Sequence, residues 1–179
     1  MPKYLQKNKP FLLFLAKFFS AYFLLTIFYR FYLESLPDGK IDKITTNVAY
    51  LVQSLAKFCK LDILVSSDIQ YFKIIYNGVY VARIIEGCNA ISVIILFISF
   101  IVAFSGKGRT TLFFLFGGSL LIYLLNVFRI ILLTILLSRF PKEEHLLHGV
   151  LFPLVIYGIV FLLWLIWVNK FSGYVSKSK

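Results

Sequence analysis

Charge is scarce in this chain. Only 15% of its 179 residues are Asp, Glu, Lys or Arg, while 60% are hydrophobic and the mean hydropathy is +0.85. Soluble domains carry about 25% charged residues. The shortage excludes a soluble globular domain and a disordered segment, both of which need polar or charged surface. Cysteine is scarcer still. Cys59 and Cys88 are too few for a disulfide scaffold or a thiolate metal site. Histidine is limited to His145 and His148, which with Cys88 form an incomplete ligand set, so no metal and no cofactor is expected. Acidic residues number eight against nineteen basic ones, a net charge of +11. The basic residues are scattered among apolar runs and form no single polar face. That pattern argues against nucleic acid and makes the lipid bilayer the expected partner.

What is abundant points the same way. Twenty Phe and eleven Tyr suit a lipid-facing surface with aromatic belts. A bilayer core of about 30 Å needs about 20 apolar residues in a helix. Four segments are expected to cross: 11–33, 90–105, 111–138 and 150–168, the last with Trp164 and Trp167 near its end. The first is too long for a cleaved signal peptide and has no small-residue cleavage site. Lys3, Lys7, Lys9, Lys107, Arg109, Lys170, Lys177 and Lys179 occupy the two tails and the 106–110 turn, where no acid occurs. Short basic loops stay inside, so both termini are expected in the cytoplasm. Segments 34–88 and 139–148 are then outside.

The expected fold is an all-α polytopic membrane protein, one integral domain over 1–179, with a small extracytoplasmic helix-plus-β-hairpin insertion. Leu36-Pro37-Asp38-Gly39 reads as a turn. Apolar residues at Ile41, Ile44, Val48, Leu51, Leu55 and Phe58 predict an amphipathic helix over 41–60 lying at the membrane surface. The β-rich runs 71–76 and 79–85 around Asn77-Gly78 predict a hairpin.

Polar residues inside apolar spans are costly, and they mark function. Arg129 lies about 18 residues into the third expected span, with Asn126 at i−3 on the same helix face. A guanidinium there needs a partner or a wet cavity; the plain alternative is an arginine snorkelling to the interface. Cys88 follows Glu86-Gly87 at the start of the second span. Gly87 would permit close approach or an unusual dihedral, and a helix N-terminus would favour a thiolate. The alternative is a cysteine acting as a small hydrophobe, or one paired with Cys59 in an oxidising compartment. His145 and His148 flank the start of the fourth span. The charge-derived topology puts Cys88, Arg129 and His148 at one depth on three spans. A thiol, a fixed cation and an imidazole suit nucleophilic acyl transfer. The hairpin leading into Cys88 would then shape a substrate groove.

Glu86-Gly87-Cys88-Asn89-Ala90-Ile91-Ser92-Val93 resembles the cysteine motif of the exosortase/archaeosortase family. Asn126-Val127-Phe128-Arg129-Ile130 resembles its asparagine-x-x-arginine motif, and His148 matches the histidine opening its last span. The order and spacing of the three fit the family, and the chain, short for it, looks like the compact exosortase F type. The resemblance implies a cysteine protease/transpeptidase of the bacterial cytoplasmic membrane, with its active site on the extracytoplasmic face. Such enzymes act on exported proteins bearing a C-terminal sorting signal: a short motif, a transmembrane helix and a basic tail. It implies Cys88 as nucleophile, Arg129 as its electrostatic support and His148 as general acid/base, with His145 a rival for that role. Asn126 and Glu86 would be supporting residues. A different class is a non-enzymatic scaffold or assembly factor for surface-protein or polysaccharide export, in which Arg129 pairs with a partner helix. A transporter is disfavoured because the polar groups gather at one face instead of lining a path through the midplane.

Overall fold

The computed structural model describes residues 8–37, 40–104 and 106–171. The tails carrying Lys3, Lys7, Lys177 and Lys179, and Asp38-Gly39 of the expected turn, lie outside them. Four apolar helices form the bundle: α1 (Lys9–Glu34), α3 (Ile91–Ala103), α4 (Gly108–Arg139) and α5 (Pro141–Phe171). Three of these, α1, α4 and α5, are long and apolar enough to cross a membrane. At 1.5 Å per residue, α3 is only about 20 Å long, short of the ~30 Å core. The second expected span is therefore matched only by a shorter apolar helix. Helix α4 has the opposite excess, at about 48 Å.

Between α1 and α3 stand α2 (Lys43–Phe58) and three antiparallel strands, β1 (Ile63–Ser67), β2 (Phe72–Tyr76) and β3 (Val79–Ile84). Asp42 starts α2 by accepting the Ile44 and Thr45 N–H groups at 2.8 and 2.9 Å, which satisfies donors that a helix start leaves orphaned. The hairpin turns at Asn77-Gly78, both left-handed with φ of 51° and 77°, as a tight strand-to-strand turn requires. Strand β1 was not anticipated, although Ile63-Leu64-Val65 ahead of Ser66-Ser67-Asp68 is a β-rich run before a turn. Its outer edge is closed by Gln53 of α2, whose amide donates to Ile63 C=O at 3.0 Å and accepts Val65 N–H at 2.5 Å. A side chain thus stands in for a neighbouring strand.

The reading of α2 as a helix on the membrane surface is corrected. Its buried stripe is Val48, Ala49, Val52 and Ala56, and it packs on Ile63, Phe72, Ile74 and Ile84 of the sheet and on Val127, Ile130 and Ile131 of α4. Leu51 and Phe58, expected in the stripe, are exposed. The projecting part of α4 gave that stripe a protein surface to cover, so lipid is not what buries it. Trp164 and Trp167, near the end of the fourth expected span, pack against other rings. Trp167 is fully buried, and Trp164 stacks on Phe100 with centroids 4.2 Å apart.

Candidate functional site

The site begins where β3 ends. Ile85 leads into a 3-10 turn, Glu86–Cys88, closed by Cys88 N–H donating to Ile85 C=O at 2.8 Å. Asn89 follows, then Ala90 at φ +63°, then helix α3. Left-handed alanine is a strained conformation that surrounding structure must hold in place. Gly87 has no such need: its φ is not left-handed, and an added Cβ would meet nothing within 4 Å. The strain expected at the glycine sits three residues later, at Ala90.

Cys88 is half-buried against the cluster formed by the sheet, α2 and α4. Both cysteines are free, which corrects the suggested Cys59–Cys88 pairing; Cys59 is exposed at the far end of α2. Asn126, 2% exposed on α4, donates its amide to Cys88 C=O at 2.6 Å. Its oxygen accepts from the Arg129 guanidinium at 3.4 Å. The two motif residues at i and i+3 thus bridge the cysteine turn to the cation. Arg129 lies 21 positions beyond Gly108, about 32 Å along α4, close to one full bilayer core from that end. Its Nε is buried and has no hydrogen-bond partner among the described residues. An unsatisfied buried donor carries a penalty that an incoming acceptor would remove.

Two cavities flank this bridge. An open cleft of about 460 Å³ is lined by Lys40, Ile41, Gln70, Ile85, Glu86 and Gly87. Glu86 is therefore an exposed cleft residue and not a buried partner of the thiol. A second groove, about 340 Å³, runs between α4 and α5; Arg129 lines it among Phe128, Leu132, Phe152, Ile156 and other apolar side chains.

The histidines stand apart from the bridge. His145 lies just past the first turn of α5, in Glu144–Leu146, and His148 on a π-turn, Leu147–Leu151; both are exposed, and neither side chain has a hydrogen bond or ion pair among the described residues. Leu147 beside His148 is buried against Leu133, Leu137 and Phe152. Phe152, four residues past His148, shares the groove with Arg129. π-turns are rare and recur at functional sites. The fold thus joins Cys88, Asn126 and Arg129 by direct bonds and anchors His148 through its neighbours.

Asn89, Tyr29, Thr45 and Asp42 were not singled out from the sequence. Asn89, 2% exposed, donates to Tyr29 Oη at 2.6 Å and Thr45 Oγ1 at 3.2 Å and accepts Ile91 N–H at 3.0 Å. An asparagine just before an apolar helix is a legible capping signal; its partners 60 and 44 residues away are not.

Residues 8–168 match the transmembrane exosortase family. The match spans most of the chain, which therefore belongs to that family and is a multi-pass membrane protein. Neither a curated protein nor a solved structure matches it.

Proposed function

We propose that this exosortase is a membrane-embedded cysteine protease/transpeptidase, of the compact exosortase F type that its motifs resemble. It cleaves C-terminal sorting signals of exported proteins just outside the cytoplasmic membrane. The short basic loops support cytoplasmic termini and an extracytoplasmic site. The observation that carries the reading is the Cys88–Asn126–Arg129 bridge with the Arg129 Nε unspent.

In the reaction, the Cys88 thiolate attacks the scissile carbonyl. Negative charge moves onto the carbonyl oxygen, where the free Nε–H of Arg129 is the donor to meet it. The C–N bond breaks, the leaving amine takes a proton from His148, and the acyl chain stays on Cys88 as a thioester. An acceptor amine, or water, then attacks the thioester while His148 takes its proton, and Cys88 leaves as thiolate. Asn126 holds the turn and the cation together. Glu86 lines the cleft through which a peptide would approach the thiol.

One observation favours the scaffold reading: neither histidine is bonded to the cysteine or the arginine. Complementation of a deletion strain separates the two. Cys88→Ala is expected to accumulate exported proteins that keep their C-terminal helix, while Cys59→Ala processes normally. His145→Ala and His148→Ala then identify the proton carrier, with loss expected for His148→Ala. A well-expressed Cys88→Ala protein that still supports processing would overturn the cysteine mechanism and put the scaffold ahead.

A further inference from the structure

We infer that Asn89 is a positioning residue for Cys88, anchored from two other helices by the hydroxyls of Tyr29 and Thr45. The inference rests on Cys88 being the nucleophile. Its starting point is the turn itself. Cys88 ends the 3-10 turn, and left-handed Ala90 follows two residues on, so the irregular backbone around the thiol has to be held by surrounding structure. Two asparagines supply what the backbone does not. Asn126 grips the Cys88 carbonyl from α4, and Asn89, the next residue in the chain, is tied by its own side chain to α1 and α2.

Every polar atom of the Asn89 amide is used. Its two N–H groups go to Tyr29 on α1 and Thr45 on α2, and its oxygen takes the first N–H of α3. Thr45 is itself fixed, since its own N–H donates to fully buried Asp42. Three helices therefore converge on the residue next to the thiol. With every polar atom of the buried Asn89 amide bonded, any shift of that side chain leaves a donor unpaired in a low-dielectric setting, so the amide is held to one geometry. A capping role alone would need only the Ile91 N–H. The bonds to Tyr29 and Thr45 do nothing for capping, and they tie the start of α3 to α1 and α2. Displacing a nucleophile by about 1 Å costs roughly 100-fold in rate, so the network sets the reactivity of Cys88 without touching substrate.

The test uses the full chain in native membranes on a Cys59→Ser background. Two quantities are read: removal of the C-terminal helix from exported proteins, and the pH profile of Cys88 alkylation by iodoacetamide. Tyr29→Phe deletes one oxygen and keeps the ring; it is expected to slow processing roughly 10- to 100-fold at unchanged protein level and to shift the alkylation profile. Asn89→Ala should do both more strongly. Thr45→Ser keeps its hydroxyl and should match wild type, while Thr45→Val should resemble Tyr29→Phe. Where Asn89→Ala protein is lost from the membrane, Tyr29→Phe and Thr45→Val decide. Wild-type processing and a wild-type profile in both overturn the inference, as does slowed processing with an unchanged profile, which marks a role away from the thiol. If Cys88→Ala still processes, the cysteine reading falls instead, and the alkylation profiles still report whether the network positions the thiol.

Discussion

The two ends of the helical bundle are held by different chemistry. At the end near Gly106, aromatic rings fill the space. Phe14 meets Phe104 at 4.5 Å, Phe114 meets Trp167 at 5.0 Å, and Trp167 is wholly enclosed. Small residues make room for them: a Cβ on Gly106 would meet Trp167 at 2.7 Å, and one on Gly118 would run into the Phe97 ring. At the opposite end, Asn126 and Asn89 bond across helices to Cys88, Tyr29 and Thr45. In lipid, helices gain nothing from hiding apolar surface from one another, so they associate by close packing or by hydrogen bonds. This protein uses one device at each end. Packing tolerates small changes of position, whereas bonds fix direction, and the groups proposed to react belong to the end that fixes direction.

The comparison breaks most visibly at the thiol. Cys88→Ala should lower processing at least ~1,000-fold and leave the thermal midpoint in detergent close to wild type, because a half-buried sulfur contributes little packing. Arg129 comes next. Arg129→Ala is expected to cost about 100- to 1,000-fold in processing rate, and Arg129→Lys most of that, since an ammonium lacks the second donor that Nε provides. Wild-type processing by Arg129→Lys would contradict the oxyanion role.

At the aromatic end the expected sign is reversed, with stability affected and chemistry spared. Gly118→Ala should destabilise by about 1–3 kcal/mol, as overpacking does, read as a lower thermal midpoint with normal processing per folded molecule. Gly117→Ala is the control. Its Cβ would meet nothing within 4 Å, so better helix propensity should raise stability by up to about 1 kcal/mol.

The smallest effect belongs to neither end. Lys73 bonds Asp68 at 2.6 Å on the exposed face of the sheet. That bond, with the Ile69 N–H, holds the Asp68 carboxyl below its ordinary value of 3.8, and Asp68 in turn holds Lys73 above 10.5. A depressed carboxyl gives stability that is present above its ordinary value and lost as pH falls through the depressed one. Melting from pH 5 to pH 2.5 should show wild type losing a slight advantage over Asp68→Asn in that acid range; an advantage that persisted below it would contradict the ion pair.

The helices were legible because lipid demands long apolar runs and α4 and α5 obey. The hairpin was legible because Asn-Gly imposes its own turn. The orientation of α2 was not. Its periodicity reports an apolar stripe but not whether lipid or protein covers it, and the sheet that does so includes β1, a strand with a weak local signal. At the site, Asn126 and Arg129 were legible as an i, i+3 pair, and the bond between them follows from that spacing. Asn89 was in view only as part of a motif, and its bonding partners lie far off in sequence.

By itself the sequence determined that the chain crosses a membrane, where its polar exceptions fall and which family it joins. The first two follow from composition and period, which are local properties; the family follows from the resemblance of its motifs and the match over residues 8–168. Tertiary structure decided that Cys88 and Arg129 share Asn126, that the backbone strain sits at Ala90, and that Tyr29 and Thr45 reach the residue beside the thiol. Hydrogen bonds of about 3 Å between residues 38 to 60 positions apart exist only once packing has brought their helices together, and no local pattern encodes them.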